Sequence, residues 1–131
     1  MLFKNMSRGF TLIELLVVIA IIGILASVVL ASLNNARDKG EDANIKQQLS
    51  SVRAEAELSY DDRSRTYDFV CGDVATLLTG LPAGAAQNCD DSPTQYAVEA
   101  TLSTGQFFCV DYTGQTTTTP ASKGAAATVC P

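Results

Sequence analysis

Few side chains in this 131-residue sequence could carry out catalysis, because the sequence contains no histidine. Without imidazole, the chain can build neither a Ser-His-Asp triad, nor a Cys-His nucleophile, nor a His-ligated metal site. The side chains that remain of interest are four cysteines, a few aspartates that are close in sequence, and the carboxylate of Glu14, which lies inside a long apolar run. We therefore expect a protein that is not an enzyme, with no catalytic residue and no cofactor.

The four cysteines, Cys71, Cys89, Cys109 and Cys130, show no Cys-x-x-Cys spacing. Zinc sites built from four cysteines normally use such close pairs, so we predict no metal site. The sequence from Asn34 onward is poor in large apolar side chains, and a thin core of this kind is commonly stabilised by disulfides in an oxidising compartment. We therefore predict two disulfides, for which the residues alone permit three pairings.

Acidic residues outnumber basic ones, and the formal net charge is −5. An acidic exterior repels phosphate backbones, so bulk nucleic-acid binding is not expected. Asp90, Asp91 and Asp111 could suggest a calcium site, but no spaced acidic loop of the EF-hand kind surrounds them. We interpret these three residues as solvated turn residues.

The apolar run spans residues 10–33 and contains no charged side chain except Glu14. As a helix rising about 1.5 Å per residue it would be roughly 36 Å long, which exceeds the hydrocarbon core of a bilayer at about 30 Å. The preceding residues contain Lys4 and Arg8 and no acid, and such a basic flank faces the cytoplasm. The sequence therefore predicts that this segment enters a membrane and that the remainder of the chain lies outside.

Three interpretations fit the apolar segment. It could be a secretory signal cleaved after Ala31, a plain membrane anchor, or a segment in which Glu14 has a specific function. An acid inside the run fits a secretory signal badly, and a plain anchor would merely tolerate it. Ionisable groups within membrane segments are functional by default, which favours the third interpretation.

The residues around Glu14 are similar to a known signal. Ser7–Leu15, which reads SRGFTLIEL, resembles the class III signal of type IV pilins and pseudopilins, and Val17–Ala26 is similar as well. The resemblance implies that a prepilin peptidase cleaves between Gly9 and Phe10 and methylates the amine of Phe10. It also implies that Glu14 of an incoming subunit meets that amine on a neighbouring subunit and sets the axial register of assembly.

One position departs from the family pattern. Many members have a helix-kinking proline where this sequence has Ala31, whereas Gly23 matches the usual glycine of the family. Local melting of the helix between subunits is therefore expected at the glycine, without the proline that commonly accompanies it.

The resemblance implies a structural subunit, a pilin that is inserted in the inner (cytoplasmic) membrane and polymerises, with copies of itself and other pilins, into an extracellular pilus filament. Its partners would be the prepilin peptidase, the pilus assembly machinery and the membrane. Two alternatives stay open. One is a pseudopilin of a type II secretion system, and the other, from a different class, is an anchored or secreted binding module that does not polymerise.

Among the three disulfide pairings we predict the sequential one, Cys71–Cys89 and Cys109–Cys130. The second bond resembles the disulfide that brackets the C-terminal region of pilins. Major pseudopilins more often use calcium in that region, so the cysteines favour the pilin interpretation.

A long helix and a small sheet must position these residues. Ile45, Leu49, Val52 and Ala56 recur at steps of four, three and four, which places them on one face of a helix running from Phe10 to about Tyr60. We predict an α+β type IV pilin fold, in which this long N-terminal helix, membrane-spanning in its first half, packs on a small antiparallel sheet. The organisation is a leader peptide (1–9), a membrane and filament-core helix (10–33), its amphipathic continuation (34–60) and a disulfide-stapled globular cap (61–131).

Within the cap, the pattern predicts one short helix and one hairpin. Asp73 is positioned to cap a helix over Val74–Leu81. Alternation predicts a strand over Tyr96–Leu102 and a return strand over Phe107–Tyr112, joined by a turn. The other predicted segments are a polar loop over Gln87–Pro93, an edge strand over 116–119, and a loop over Ala121–Pro131 in which Lys123 is exposed.

Overall fold

The computed structural model describes residues 9–131 of the chain, which form three helices and four strands. Predictions that concern the leader, including Lys4 and Arg8, lie outside these residues. The helices and strands are α1 (Leu12–Asp62), α2 (Val70–Asp73), α3 (Ala75–Thr79), β1 (Gln87–Ser92), β2 (Gln95–Thr101), β3 (Phe107–Asp111) and β4 (Thr116–Thr119).

The four strands form one antiparallel sheet in the order β1-β2-β3-β4, so strands that are neighbours in the chain are also neighbours in the sheet. The later part of α1 packs on one face of this sheet. The predicted α+β fold, a long N-terminal helix with a small antiparallel sheet, is confirmed.

The chain divides into two compact units between Arg37 and Asp38. In the described part of the first unit, residues 9–37, every residue is exposed. Large apolar side chains dominate this surface, and α1 is long and apolar enough, by length and composition, to cross a membrane. The first unit therefore presents apolar surface without a core of its own.

The second unit, residues 38–131, contains a core. One face of α1, formed by Ile45, Leu49, Val52 and Ala56, is buried, as the spacing predicts. Full burial of a large aliphatic side chain stabilises a fold by about 1.5–3 kcal/mol. This face packs against the helix-facing residues of β2 and β3 and against the short helices; these partners are Tyr96, Val98, Ala100, Phe108, Val110, Val70, Val74 and Leu78.

The other face of the sheet is polar and is covered by a C-terminal tail, residues 121–131. Glu99 and Cys109 are directly paired across β2 and β3, and residues paired in this way share a face. Both contact the tail, because Cys109 forms a disulfide with Cys130 and Glu99 accepts the backbone N–H of Lys123 at 2.7 Å. The sheet is therefore covered by α1 on one side and by the tail on the other.

The segment Gln87–Ser92 differs from its prediction. It was expected to be a loop, but it forms β1 and is paired with β2 along its whole length. Its sequence, QNCDDS, contains no β-branched or aromatic residue. Pairing with β2, rather than its own propensity, therefore makes this segment a strand.

The prediction of a single helix over Val74–Leu81 is wrong. The structure has two short helices, α2 and α3, on either side of Val74. Asp73 caps neither of them; it is the last residue of α2, and its carboxylate accepts hydrogen bonds from the Ser59 hydroxyl and, at 2.6 Å, from Arg63. Asp73 thus fastens α2 to the end of α1.

Candidate functional site

The start of α1 is stabilised by reciprocal hydrogen bonds between Thr11 and Glu14. The Glu14 N–H donates to Thr11 Oγ1 at 3.2 Å, and Glu14 Oε2 accepts from both the N–H and the hydroxyl of Thr11 at 2.9 Å. This is a capping box, in which the residue before a helix and the third helical residue satisfy each other's free donors, and a Thr-x-x-Glu spacing is its sequence signal. The apolar run predicts a helix that begins at Phe10, but the capping box makes the helix begin at Leu12.

Glu14 keeps one carboxylate oxygen available. The hydrogen bonds from Thr11 both reach Oε2, and Oε1 accepts none from any residue that the structure describes. The side chain is also exposed. Glu14 can therefore accept a cation on Oε1 without releasing Thr11.

The Gly9–Phe10 bond lies in non-helical backbone immediately before the capping box. Both residues are exposed, and Phe10 is 91% exposed. A peptide bond in exposed chain outside regular structure is accessible to a protease. This geometry is compatible with processing at Gly9 and Phe10 and with an assembly function of Glu14, which stay predictions.

Two disulfides connect the elements of the cap. Cys71–Cys89 joins α2 to β1 with a Cα–Cα distance of 5.7 Å, and Cys109–Cys130 joins β3 to the tail with a distance of 5.8 Å. The structure thus contains both bonds of the sequential pairing. They lie on opposite faces of the sheet, since Cys89 packs against the core and Cys109 lies beneath the tail beside Glu99.

The sequence predicts an exposed Lys123 on a loop, and this prediction is wrong. The side chain of Lys123 is fully buried. Its ammonium forms an ion pair with Asp90 of β1 and donates to the carbonyl of Ala127 at 3.0 Å. Burial of an ammonium is costly unless it is paired and hydrogen-bonded, and these contacts provide both. The tail is therefore fastened at Lys123 as well as at Cys130.

The interpretation of three aspartates as solvated turn residues is wrong. Asp90 forms the ion pair just described, and Asp91 accepts the backbone N–H of Cys71 at 2.9 Å. Asp111 is 1% exposed and accepts the backbone N–H of Cys130 at 3.1 Å. Each carboxylate therefore joins two segments of the cap. Within residues 9–131, no group of three or more His, Cys, Asp or Glu is arranged to hold a metal ion.

Comparison with known proteins identifies the N-terminal segment. A family model described as "Prokaryotic N-terminal methylation motif" matches residues 4–30. The chain is 28% identical to the type IV major fimbrial protein FimA of Dichelobacter nodosus, over 71% of this chain and 58% of that protein. It is 43% identical to the type IV wide pilus major component PilA4 of Thermus thermophilus, over 46% and 47% of the two chains. It is also 36% identical to the type II secretion system core protein G of Klebsiella michiganensis, over 47% and 44%.

These similarities support the predicted resemblance to type IV pilins and pseudopilins. The matched part of the chain spans about half the length of these curated relatives. No solved structure matches the chain at a significant level.

Proposed function

We propose that this chain is a structural subunit, a type IV pilin, that is anchored in the inner membrane after removal of its leader and polymerises through α1 into a surface filament. The observation that carries this proposal is the surface of α1 over residues 15–33, which is uncharged, largely apolar and exposed at every position. The role is structural rather than enzymatic.

The apolar surface of α1 needs a partner, because water surrounds it in the isolated chain. Exposure of apolar area to water costs about 25 cal/mol per Å², and a bilayer removes that cost along a helix long enough to span it. The hydroxyl of Ser27 donates to the Ile24 carbonyl at 2.7 Å, so this polar group is satisfied within the helix. A membrane is therefore a suitable first environment for α1.

In a filament, neighbouring copies would cover the same surface. Lipid tails are as apolar as the helix, so close helix packing, rather than the hydrophobic effect, must favour association of copies within the bilayer. Ala20, Gly23 and Ser27 are small and recur at helical spacing on one face of α1, which lets another helix approach closely. One segment can therefore serve as both anchor and filament core.

We assign the register of this packing to Glu14. Removal of the leader creates a new amine at Phe10, and Oε1 of Glu14 is available to a cation while Oε2 stays bonded to Thr11. Breaking a buried ion pair costs about 3–5 kcal/mol, because an unpaired charge is left behind. Pairing of Glu14 with the Phe10 amine of a neighbouring copy would therefore favour one axial position over the others.

The partners that we propose are a prepilin peptidase at the cytoplasmic face, an assembly machinery, other pilins and further copies of this chain. A type II secretion pseudopilin is the second candidate, supported by the 36% identity to protein G over 47% of this chain. The Cys109–Cys130 bond favours the pilin.

Electron microscopy of cells with and without this chain tests the proposal. We expect surface filaments only when the chain is produced, and we expect sheared filaments to contain a chain that starts at N-methylated Phe10. Cells that process the chain but bear no filament containing it would contradict the pilin assignment. If such cells also lost secretion of folded proteins when the chain was deleted, the pseudopilin would replace it.

A further inference from the structure

Two large apolar side chains are exposed where α1 ends and in the loop after it. Leu58 is 61% exposed and Phe69 is 70% exposed, although most large apolar residues of the second unit are buried. Arg63 connects them, because it lines one groove with Leu58 and places its guanidinium 5.8 Å from the centre of the Phe69 ring. We call these three side chains the Leu58–Phe69 patch.

Phe69 holds an unfavourable backbone conformation. Its φ angle is 72°, in the left-handed region, where a bulky aromatic residue is a genuine outlier and glycine is preferred. The side chain gains no burial in return, since most of its surface is exposed. Phe69 precedes α2, and its carbonyl accepts the N–H groups of Gly72 and Asp73, but these backbone contacts do not require an exposed aromatic side chain. A strained and exposed phenylalanine therefore points to a function outside its own cap.

The patch is also held in place before any partner arrives. Arg63 donates to Asp73 at 2.6 Å, and the same carboxylate accepts the hydroxyl of the buried residue Ser59. The cation above the Phe69 ring is thereby fixed to both α1 and α2. Such preorganisation lowers the entropy that a docking event must remove.

The groove beside Leu58 contains two carboxylates without an ion pair to a described residue, and Arg63, which also lines it, is already paired with Asp73. Glu55 and Asp62 line the groove beside Leu58, and neither forms an ion pair within the described part of the chain. The last turn of α1 contains no basic residue, although the helix dipole favours cations there. A partner that fits this surface must therefore bring apolar side chains and a positive charge.

A second copy of the chain offers both. Its α1 exposes aliphatic side chains up to Leu33, and Lys39 follows on the same helix. Lys39 is exposed and forms no ion pair with any residue that the structure describes. Four other cations of the second unit are already engaged: Lys46 lies over the Phe108 ring, Arg53 donates to the Gly114 carbonyl, Arg63 pairs with Asp73, and Lys123 pairs with Asp90. Arg65 is exposed and forms no ion pair with a described residue either, but it follows the end of α1 and does not lie on that helix.

We infer that the Leu58–Phe69 patch is a docking surface for α1 of a neighbouring copy, and that Lys39 of the neighbouring copy faces Glu55 and Asp62. This contact deepens the proposed function, on which it rests. The end of α1 and the following loop would thus make a second specific contact between copies, in addition to the contact through the apolar helix segment.

The substitution Phe69→Gly separates docking from folding. Glycine accepts the left-handed conformation, so the full chain should reach the membrane in normal amount with both disulfides formed, as a non-reducing gel of the membrane fraction would show. Loss of a central aromatic anchor should lower the yield of sheared filaments about tenfold or more. Val129→Ser is the matched control, since Val129 is also exposed and lies outside the patch, and it should leave the yield unchanged.

A Phe69→Gly chain that assembles as well as the wild type would overturn the inference, and so would an equal loss in Val129→Ser. A Phe69→Gly chain that is lost from the membrane would mean that Phe69 supports its own cap, which also overturns it. The proposed function is judged separately by the wild-type chain, because absence of wild-type filaments contradicts that proposal and not the patch alone.

A charge exchange tests the neighbouring copy as the occupant. Asp62→Lys and Lys39→Glu should each lower the filament yield, and the two together should restore it towards the wild-type level. Asp62→Lys places a cation at the C-terminal end of α1, which favours the helix, so its effect cannot come from a weakened helix. A double variant no better than either single variant would exclude Lys39 as the partner cation and overturn the inference.

Discussion

The ammonium of Lys123, in the C-terminal tail, forms an ion pair with the carboxylate of Asp90, on β1, and the lysine side chain is fully buried. The tail lies on the polar face of the sheet, where Glu99 accepts the Lys123 N–H. With the disulfide at Cys130, these contacts fasten the tail at two points. A segment made mostly of small residues therefore has a defined position.

Substitution of Lys123 by alanine should destabilise the cap, because Asp90 would keep a partly buried charge without a partner. Breaking a fully buried pair costs about 3–5 kcal/mol. Since Asp90 is 24% exposed, we expect about 2 kcal/mol from denaturant unfolding of the full chain in detergent, followed by tyrosine fluorescence. Lys39→Ala, which removes an exposed lysine, should change the free energy of unfolding by less than about 0.5 kcal/mol. Equal effects of the two variants would contradict the importance of the buried pair.

Removal of the Cys109–Cys130 disulfide should cost the cap about 3 kcal/mol, as the chain-entropy relation gives for a closed loop of about this length. Alanine is the appropriate replacement, because Cys109 is fully buried and serine would add an unpaired hydroxyl there. Cys109→Ala, Cys130→Ala and the double variant should lose similar stability, since each removes the same bond. Peptide mapping without reduction should recover Cys71–Cys89 and Cys109–Cys130 from the wild type, and any Cys71–Cys130 peptide would refute the pairing.

Cleavage between Gly9 and Phe10 should leave a chain whose intact mass corresponds to a start at N-methylated Phe10. Gly9→Val should block cleavage and leave unprocessed precursor in the membrane. A chain that starts at Ser32 would instead indicate a secretory signal, and an intact chain from Met1 would indicate a plain anchor.

Glu14→Ala should leave membrane insertion unchanged and abolish filaments, because the new amine at Phe10 then has no carboxylate to meet. Thr11→Val removes the side-chain oxygen of the capping box and keeps the carboxylate, so it should weaken the helix start by about 1 kcal/mol and reduce filaments less than Glu14→Ala does. Quantitative immunoblots of sheared and membrane fractions measure both. Normal filaments from Glu14→Ala would refute the assembly role.

Alkaline pH should destabilise the cap through Tyr67. Burial and the hydrogen bond from its hydroxyl to Glu57, at 3.1 Å, raise the pKa of Tyr67 to about 12. The folded state therefore binds the phenol proton more tightly than the unfolded state, whose pKa is about 10. The contribution to stability is complete below pH 10 and is lost as the pH rises towards 12. Tyr67→Phe should show a shallower loss of stability over that range, and an unchanged slope would contradict this origin.

The sequence predicts those parts of the fold that have a strong local pattern. The buried face of α1, from Ile45 to Ala56, follows directly from spacing. Alternation locates β2 and β3, although consecutive residues in both strands are buried, because α1 covers one face of the sheet and the tail covers the other. β1 could not be found in this way, because QNCDDS has no strand propensity and becomes a strand only by pairing with β2.

In the candidate site, too, features with a local sequence pattern could be predicted and features that depend on tertiary contacts could not. The Thr-x-x-Glu spacing of the capping box is local, and a search for helix starts would find it. The pairing of Lys123 with Asp90 joins residues 33 positions apart, and sequence normally predicts an exposed lysine in a small-residue loop. Burial of such charges depends on a tertiary partner that no local pattern reveals.

For a cap that is exported as proposed, the order of the strands determines which contacts can form first. Each strand pairs with the one before it, and the two disulfide loops do not overlap. Each strand after β1 can therefore pair as soon as it emerges, and Cys71–Cys89 can close before Cys109 appears. The sheet can grow from its first strand to its last, in the direction of translocation. Cys109 must wait until Cys130 has crossed, so the bond that fixes the tail is the last to form.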